Sequence, residues 1–267
     1  MAGNVANIDP YGPSAGRVHP EHYKRPDSLI IDIHGHIMTE GVDEEVRKHV
    51  PAMSLDAVKY ASPLTREISK KQNEDRHEEL VGVTKRLADM DKMCVDVMAI
   101  SPQPPQMHYD APEALGQETA QKVNDNIANA VSQAPDRLIG LGTVPLQNTD
   151  MALKELDRLI GELGFKGIQI GAQIGKDELS AERLEPFWAR CEELDIPILL
   201  HPTSFASDRF GAHYLTNIIG NPLDTTVAIH YLIFDGVLAR YPGLKIVAVH
   251  GGAFVAAYAA RMDHAWG

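Results

Sequence analysis

Leu29-Ile30-Ile31-Asp32-Ile33-His34-Gly35-His36 is the stretch on which the fold turns. Residues 29–33 form a short, mostly apolar run, the pattern of a buried strand, and it leads into two imidazoles separated by one glycine. Side chains on a strand alternate between faces. Asp32, His34 and His36 are therefore expected on one face, with Ile33 and Gly35 on the other. Two imidazoles so spaced at a strand's end can chelate one ion, and Gly35 leaves room between them.

The same kind of run recurs along the chain, at 95–100, 138–144, 166–170, 196–200 and 245–249. Between the runs, apolar residues return at helical spacing, as in Leu80, Val83, Leu87 and Met90. Further helices are expected over 117–133, 151–163 (capped by Asn148 or Thr149), 182–194, 223–241 and from 252 onward. Strands alternating with helices of this length imply parallel βαβ units. No glycine-rich phosphate loop follows any strand, which removes the usual reason for a doubly wound nucleotide-binding sheet. The fifth run ends in His201-Pro202 and the sixth in His250-Gly251-Gly252. In a parallel barrel such ends converge on one rim, where barrel enzymes keep their active sites. A (β/α)8 TIM-like barrel over residues 29–267 is the expectation, with an insertion at about 37–78. An extended N-terminal arm is expected over residues 1–28, which hold four prolines and three glycines.

Composition narrows the class. A formal charge of −12 over 267 residues argues against nucleic acid or an anionic membrane surface as partner. No apolar run approaches the ~20 residues needed to span a bilayer. The N-terminus has no basic-then-apolar signal pattern. The two cysteines, Cys94 and Cys191, are each expected in a helix among apolar neighbours, as free thiols of a cytoplasmic protein.

Several segments together resemble the decarboxylase branch of the amidohydrolase superfamily, related to aminocarboxymuconate-semialdehyde decarboxylase. They are Ile31-Asp32-Ile33-His34-Gly35-His36, Arg86-Leu87-Ala88-Asp89-Met90-Asp91, Gly164-Phe165-Lys166-Gly167-Ile168, His201-Pro202, and Leu244-Lys245-Ile246-Val247-Ala248-Val249-His250-Gly251-Gly252. The resemblance implies a distorted barrel binding one divalent metal ion, zinc or manganese. It assigns His34, His36 and His201 as ligands and His250 as the catalytic histidine that handles a proton. It also implies a further aspartate ligand at the end of an eighth strand. Asp263, in the helix after His250, is not that residue, so the barrel is expected to be truncated after about six β/α units.

The chemistry implied is non-oxidative decarboxylation of a carboxylated aromatic or unsaturated dicarboxylic acid. A hydrolase of a lactone, ester or amide would use the same ligands, and a catalytically inactive barrel is a further alternative. His250, with an ordinary pKa near ~6.5, is expected to serve as acid and base at neutral pH. Asp32 is expected to orient a ligand imidazole from behind, or else to tie down the barrel floor. A small anionic organic substrate calls for a cation, and Arg47 in the insertion is the choice. Gln103, just past the second strand, and Phe205, just past His201, are expected to line the pocket. Homodimer contacts are expected from the proline-rich arm and the helix over 223–241.

Overall fold

Burial of both sides of a strand demands helices outside and a filled interior within. The computed structural model describes residues 27–50, 61–202, 205 and 207–266, so nearly all of the expected arm over 1–28 lies outside the described residues. The strands are β1 (Ile31–Ile37), β2 (Val97–Pro102), β3 (Leu138–Gly142) and β4 (Gly167–Gly171). A two-stranded antiparallel ribbon follows, β5 (Gln173–Ile174) with β6 (Asp177–Glu178). Then come β7 (Pro197–His201) and β8 (Lys245–Ala248). Six of them make one parallel sheet in the order β1-β2-β3-β4-β7-β8.

Alternation along these strands separates two apolar layers. Met98, Ile100, Leu138, Ile168, Ile170, Ile198 and Leu200 belong to the larger cluster, shared with the helices. Ala99, Leu141, Leu199 and Val249 form a second cluster with Ile139 and Val247 packed on it. This second set is the inner lining, because its members sit at the intervening positions of the same strands. The sheet also curls. His34 on β1 and His250 just past β8 belong to opposite edges, which a flat sheet of six strands would hold about 24 Å apart. Their rings lie 5.6 Å apart. The architecture is therefore a partial (β/α)8 barrel.

The outer layer is built from α4 (Val83–Met93), α5 (Glu113–Gln133), α6 (Thr149–Gly161), α7 (Glu185–Glu193) and α8 (Asn221–Phe234). Asn148 caps α6 by accepting the Met151 N–H, one of the two caps expected. The insertion carries its own helices, α1 (Val42–Arg47), α2 (Pro63–Asp75) and α3 (His77–Val81). The helix expected over 223–241 is two pieces, α8 and α9 (Val237–Arg240). They part at Gly236, whose φ of 75° is free only to a residue without Cβ. The last helix, α10 (Val255–Trp266), begins three residues later than the spacing suggests, because residues 250–253 all hold positive φ. Cys94 is not inside a helix but caps α4 in a left-handed conformation, while Cys191 is buried in α7; both thiols are free. No helix among the described residues is long and apolar enough to cross a membrane.

Close strand approach depends on one glycine above all. A Cβ on Gly167 would lie 2.4 Å from the Pro197 carbonyl oxygen on the neighbouring strand. That contact is backbone, so it cannot swing aside. Gly167→Ala is expected to destabilise the fold by about 1–3 kcal/mol, as overpacking does. Thermal melting checks this, and a melting temperature equal to the parent's would show that β4 and β7 part without strain.

Candidate active site

Four imidazoles meet at the C-terminal rim. His34 and His36 come from β1, His201 closes β7, and His250 stands in the turn after β8. The His34 and His36 Nε2 atoms lie 3.0 Å apart. Ligand atoms of His34, His36 and His201 all fall within 4.8 Å of one another. The His250 ring is 5.1 Å from that of His201. Its φ of 56° and ψ of 45° are left-handed, a strained backbone of the kind that gathers at functional sites.

Hydrogen bonds behind the rings decide where the lone pairs point. His36 Nδ1 lies 3.0 Å from the Pro102 carbonyl oxygen, and His201 Nδ1 lies 2.9 Å from that of Pro202. A carbonyl only accepts, so both rings carry their proton on Nδ1 and leave Nε2 bare. Ser101 Oγ, also 3.0 Å from His36 Nδ1, is 2.7 Å from Gln169 Oε1, and Gln169 Nε2 donates to the Pro102 oxygen. Both side chains are fully buried. This network on β2 and β4 holds the His36 ring from behind, as ligand histidines are commonly held.

A bare His36 Nε2 facing His34 Nε2 at 3.0 Å leaves a gap that suits a cation. A tetrahedral zinc at 2.0–2.1 Å from each nitrogen would set them about 3.4 Å apart, a small adjustment. Burial presses the same way. It pushes His36 down to about 4, helped by His34, and His201 down to about 3, helped by His36. His34 is also lowered by burial, with Asp32 opposing. Neutral imidazole is the form that ligates, so the donor set fits a divalent metal ion. His250 departs from the ordinary value expected of it: burial and then His34 lower its pKa.

The strict alternation expected for β1 does not hold. Ile31 and Asp32 pair with Val97 and Met98, but Gly35 and His36 pair with Ile100 and Ser101. Two residues, Ile33 and His34, thus oppose Ala99, a bulge that shifts the register by one. Asp32 aligns with outward Met98, and His36 aligns with inward Ser101. Asp32 Oδ1 accepts the backbone N–H of His34 at 3.0 Å rather than an imidazole proton. Gly35 is needed for close approach, since a Cβ there would sit 2.8 Å from Met98 Sδ and 3.0 Å from the Ala99 oxygen.

The remaining expected residues sit in the segments that follow β1, β2 and β7. Arg47 is exposed in the last turn of α1. Gln103 is half-buried just past β2, its N–H bonded to the Ile37 oxygen. Phe205 is exposed just past β7. Their neighbours Gln106 and Tyr109 are buried supports. Gln106 bonds Thr39 through both its amide atoms, and Tyr109 OH accepts the Gly171 N–H.

Three buried side chains escaped the sequence reading of the site: Ser101, Gln169 and Arg86. Two of them carried a signal. Gln169 is a lone polar residue between Ile168 and Ile170, and Arg86 occupies the apolar stripe of α4 beside Val83, Leu87 and Met90.

A rim of converging imidazoles on parallel strands is the arrangement of an amidohydrolase-type barrel. The amidohydrolase family pattern matches residues 31–267, and the chain belongs to that family. It is 36% identical over 180 residues to the 2-amino-3-carboxymuconate-6-semialdehyde decarboxylase of Dictyostelium discoideum, covering 67% of this chain and 50% of that one. It is 31% identical over 196 residues to the gamma-resorcylate decarboxylase of Polaromonas sp., covering 68% and 60%. The chain thus spans about half to three-fifths of the length of these relatives. Among solved structures, the 5-carboxyvanillate decarboxylase of Novosphingobium aromaticivorans, complexed with manganese and 4-hydroxy-3-methoxy-5-nitrobenzoic acid, aligns with a TM-score of 0.76. That match has 25% identity and covers 90% of this chain and 70% of the other.

Proposed function

We propose that the protein is a metal-dependent, non-oxidative decarboxylase of a carboxylated aromatic or unsaturated dicarboxylic acid. The observation that carries this is the cluster of four imidazoles, three with ligand atoms within 4.8 Å and the fourth beside them. Likeness to decarboxylases in both sequence and structure supports the choice of reaction.

His34, His36 and His201 would hold one divalent ion, zinc or manganese. Bound there, the ion supplies Lewis-acid polarisation of the substrate carboxylate and a neighbouring oxygen. His250 is the residue for proton transfer. Its lowered pKa leaves it neutral at pH 7, so it must first gain a proton before giving one to the carbon that bears the carboxylate. One proton enters at that carbon, the C–C bond breaks, and CO2 leaves with its former bonding pair retained by the ring or enamine carbon. Asp32, through the His34 backbone, and Ser101 with Gln169, behind His36, keep the rings in place. Arg47 meets the anionic substrate, and Gln103 and Phe205 line its path. The residues 29–267 act as one barrel unit with an insertion at about 37–78. The protein works in the cytoplasm, in keeping with its free thiols, and as a homodimer, in keeping with exposed Tyr214, Ile218 and Ile219.

The test is to load the protein with Mn2+ or Zn2+ and offer hydroxylated benzoates, unsaturated dicarboxylic acids and lactones. Release of CO2 from one of the acids is expected. Ring-opened lactone without any CO2 would replace this reading with hydrolysis.

A further inference from the structure

Arg86 stands outside the imidazole cluster yet touches one of its members. It lies on α4 and is buried, and its Nη2 donates to the His36 carbonyl oxygen at 2.7 Å and to the Glu79 oxygen at 3.0 Å. Nη1 contacts Met98 Sδ at 3.5 Å, and Nε is buried without a partner. Burying a guanidinium is expensive, and burial does lower its pKa, with the nearby Asp32 charge opposing. A fold that needed only apolar packing at this point of the α4 stripe would hold a leucine or methionine.

What Arg86 grips explains its presence. The bulge in β1 interrupts the ladder with β2 between Asp32 and Gly35. On one side of Gly35 the His34 N–H is taken by the Asp32 carboxylate; on the other the His36 C=O is taken by Arg86. Two opposite charges therefore hold the backbone of the His-Gly-His segment, Asp32 within the bulge and Arg86 just past it, where pairing with β2 resumes at Gly35 and His36. The two protons of Nη2 reach the His36 and Glu79 carbonyl oxygens at once, tying β1 to α3 at a set distance. We propose that Arg86 is a positioning residue that sets the spacing of the His34 and His36 nitrogens, and through it the affinity of the site for a divalent ion. The inference rests on reading His34, His36 and His201 as the ligands.

The experiment compares the parent with Arg86→Lys and Arg86→Met by competition of Mn2+ and Zn2+ against a chelator, with the visible spectrum of the Co2+ form as a geometric readout. The melting temperature of each metal-free protein serves as the measure of fold. Arg86→Lys keeps a charge but not the reach and planar placement of Nη2, and is expected to weaken metal binding by about 10–100-fold, as loss of an outer partner does, and to alter the Co2+ spectrum. Arg86→Met is expected to weaken it at least as much. If Arg86→Met does not fold, Arg86→Lys alone carries the comparison. A parent that binds the ion alongside variants that bind it within twofold, changed only in melting temperature, overturns this inference and leaves the metal site standing. A parent that takes up no ion overturns both.

Discussion

Replacing His36 with alanine is expected to weaken divalent-metal binding by roughly a thousandfold or more, beyond the 10–100-fold typical of an outer partner, and to bring CO2 release to background. The reason is geometric. His36 Nε2 is 3.0 Å from His34 Nε2, and its ring is the one most firmly held, by Pro102, Ser101 and Gln169. Without it, His34 and His201 are left with rings 5.4 Å apart and no rigid member between them. The same change should cost the metal-free fold little. It removes a half-buried neutral ring whose lone pair faces another nitrogen, although it leaves Ser101 with one partner fewer. A fall in function without a matching fall in stability is the mark of a residue kept for a site rather than for the core. Calorimetric titration with Mn2+ and thermal melting of the metal-free chain measure the two sides. Metal affinity within tenfold of the parent would remove His36 from the ligand set.

Local pattern carried much of this molecule and failed at identifiable places. The alternation of strands and helices was legible because each apolar run is short and each helical stripe is regular. The convergence of His34, His36 and His201 followed from the parallel topology, since parallel strands present their C-terminal ends together. The bulge at Ile33 and His34 was not legible, because register is set by the partner strand. Period-two reasoning on β1 alone therefore put Asp32 on the wrong face. Ser101 and Gln169 meet across the barrel interior from β2 and β4, strands with β3 between them. Only the curl of the sheet brings them within reach. The break at Gly236 was available in the Asp235-Gly236 pair, a turn dipeptide overridden by the long apolar stripe around it. His250 looked ordinary because a sequence does not show how far a strand-end ring is buried.

Burial of those rings makes the metal-free protein sensitive to acid in a definite window. In the unfolded chain a histidine titrates near ~6.5. In the fold His36 is pushed down to about 4 and His201 to about 3, and His34 and His250 are lowered as well. Between the two sets of values the unfolded state binds more protons than the folded one, so stability rises with pH. It is complete above about pH 7 and drains away as pH falls through ~6.5 toward the folded values. His36 alone accounts for a loss on the order of 3 kcal/mol over the full window, a large share of a typical domain's stability. Glu178 has the opposite sign, since burial raises its carboxyl above the ordinary carboxylate value. Urea denaturation of the metal-free chain at pH 7, 6 and 5 should therefore show a midpoint that falls steadily. His36→Ala should flatten that slope, because one of the proton-binding differences is gone. Saturating Mn2+ should flatten it too, because an ion on the Nε2 lone pairs excludes the proton that would otherwise favour unfolding. An unchanged midpoint from pH 7 to pH 5 in the metal-free protein would mean that the rings are hydrated and protonate in place, and the desolvated rim inferred for this barrel would not exist.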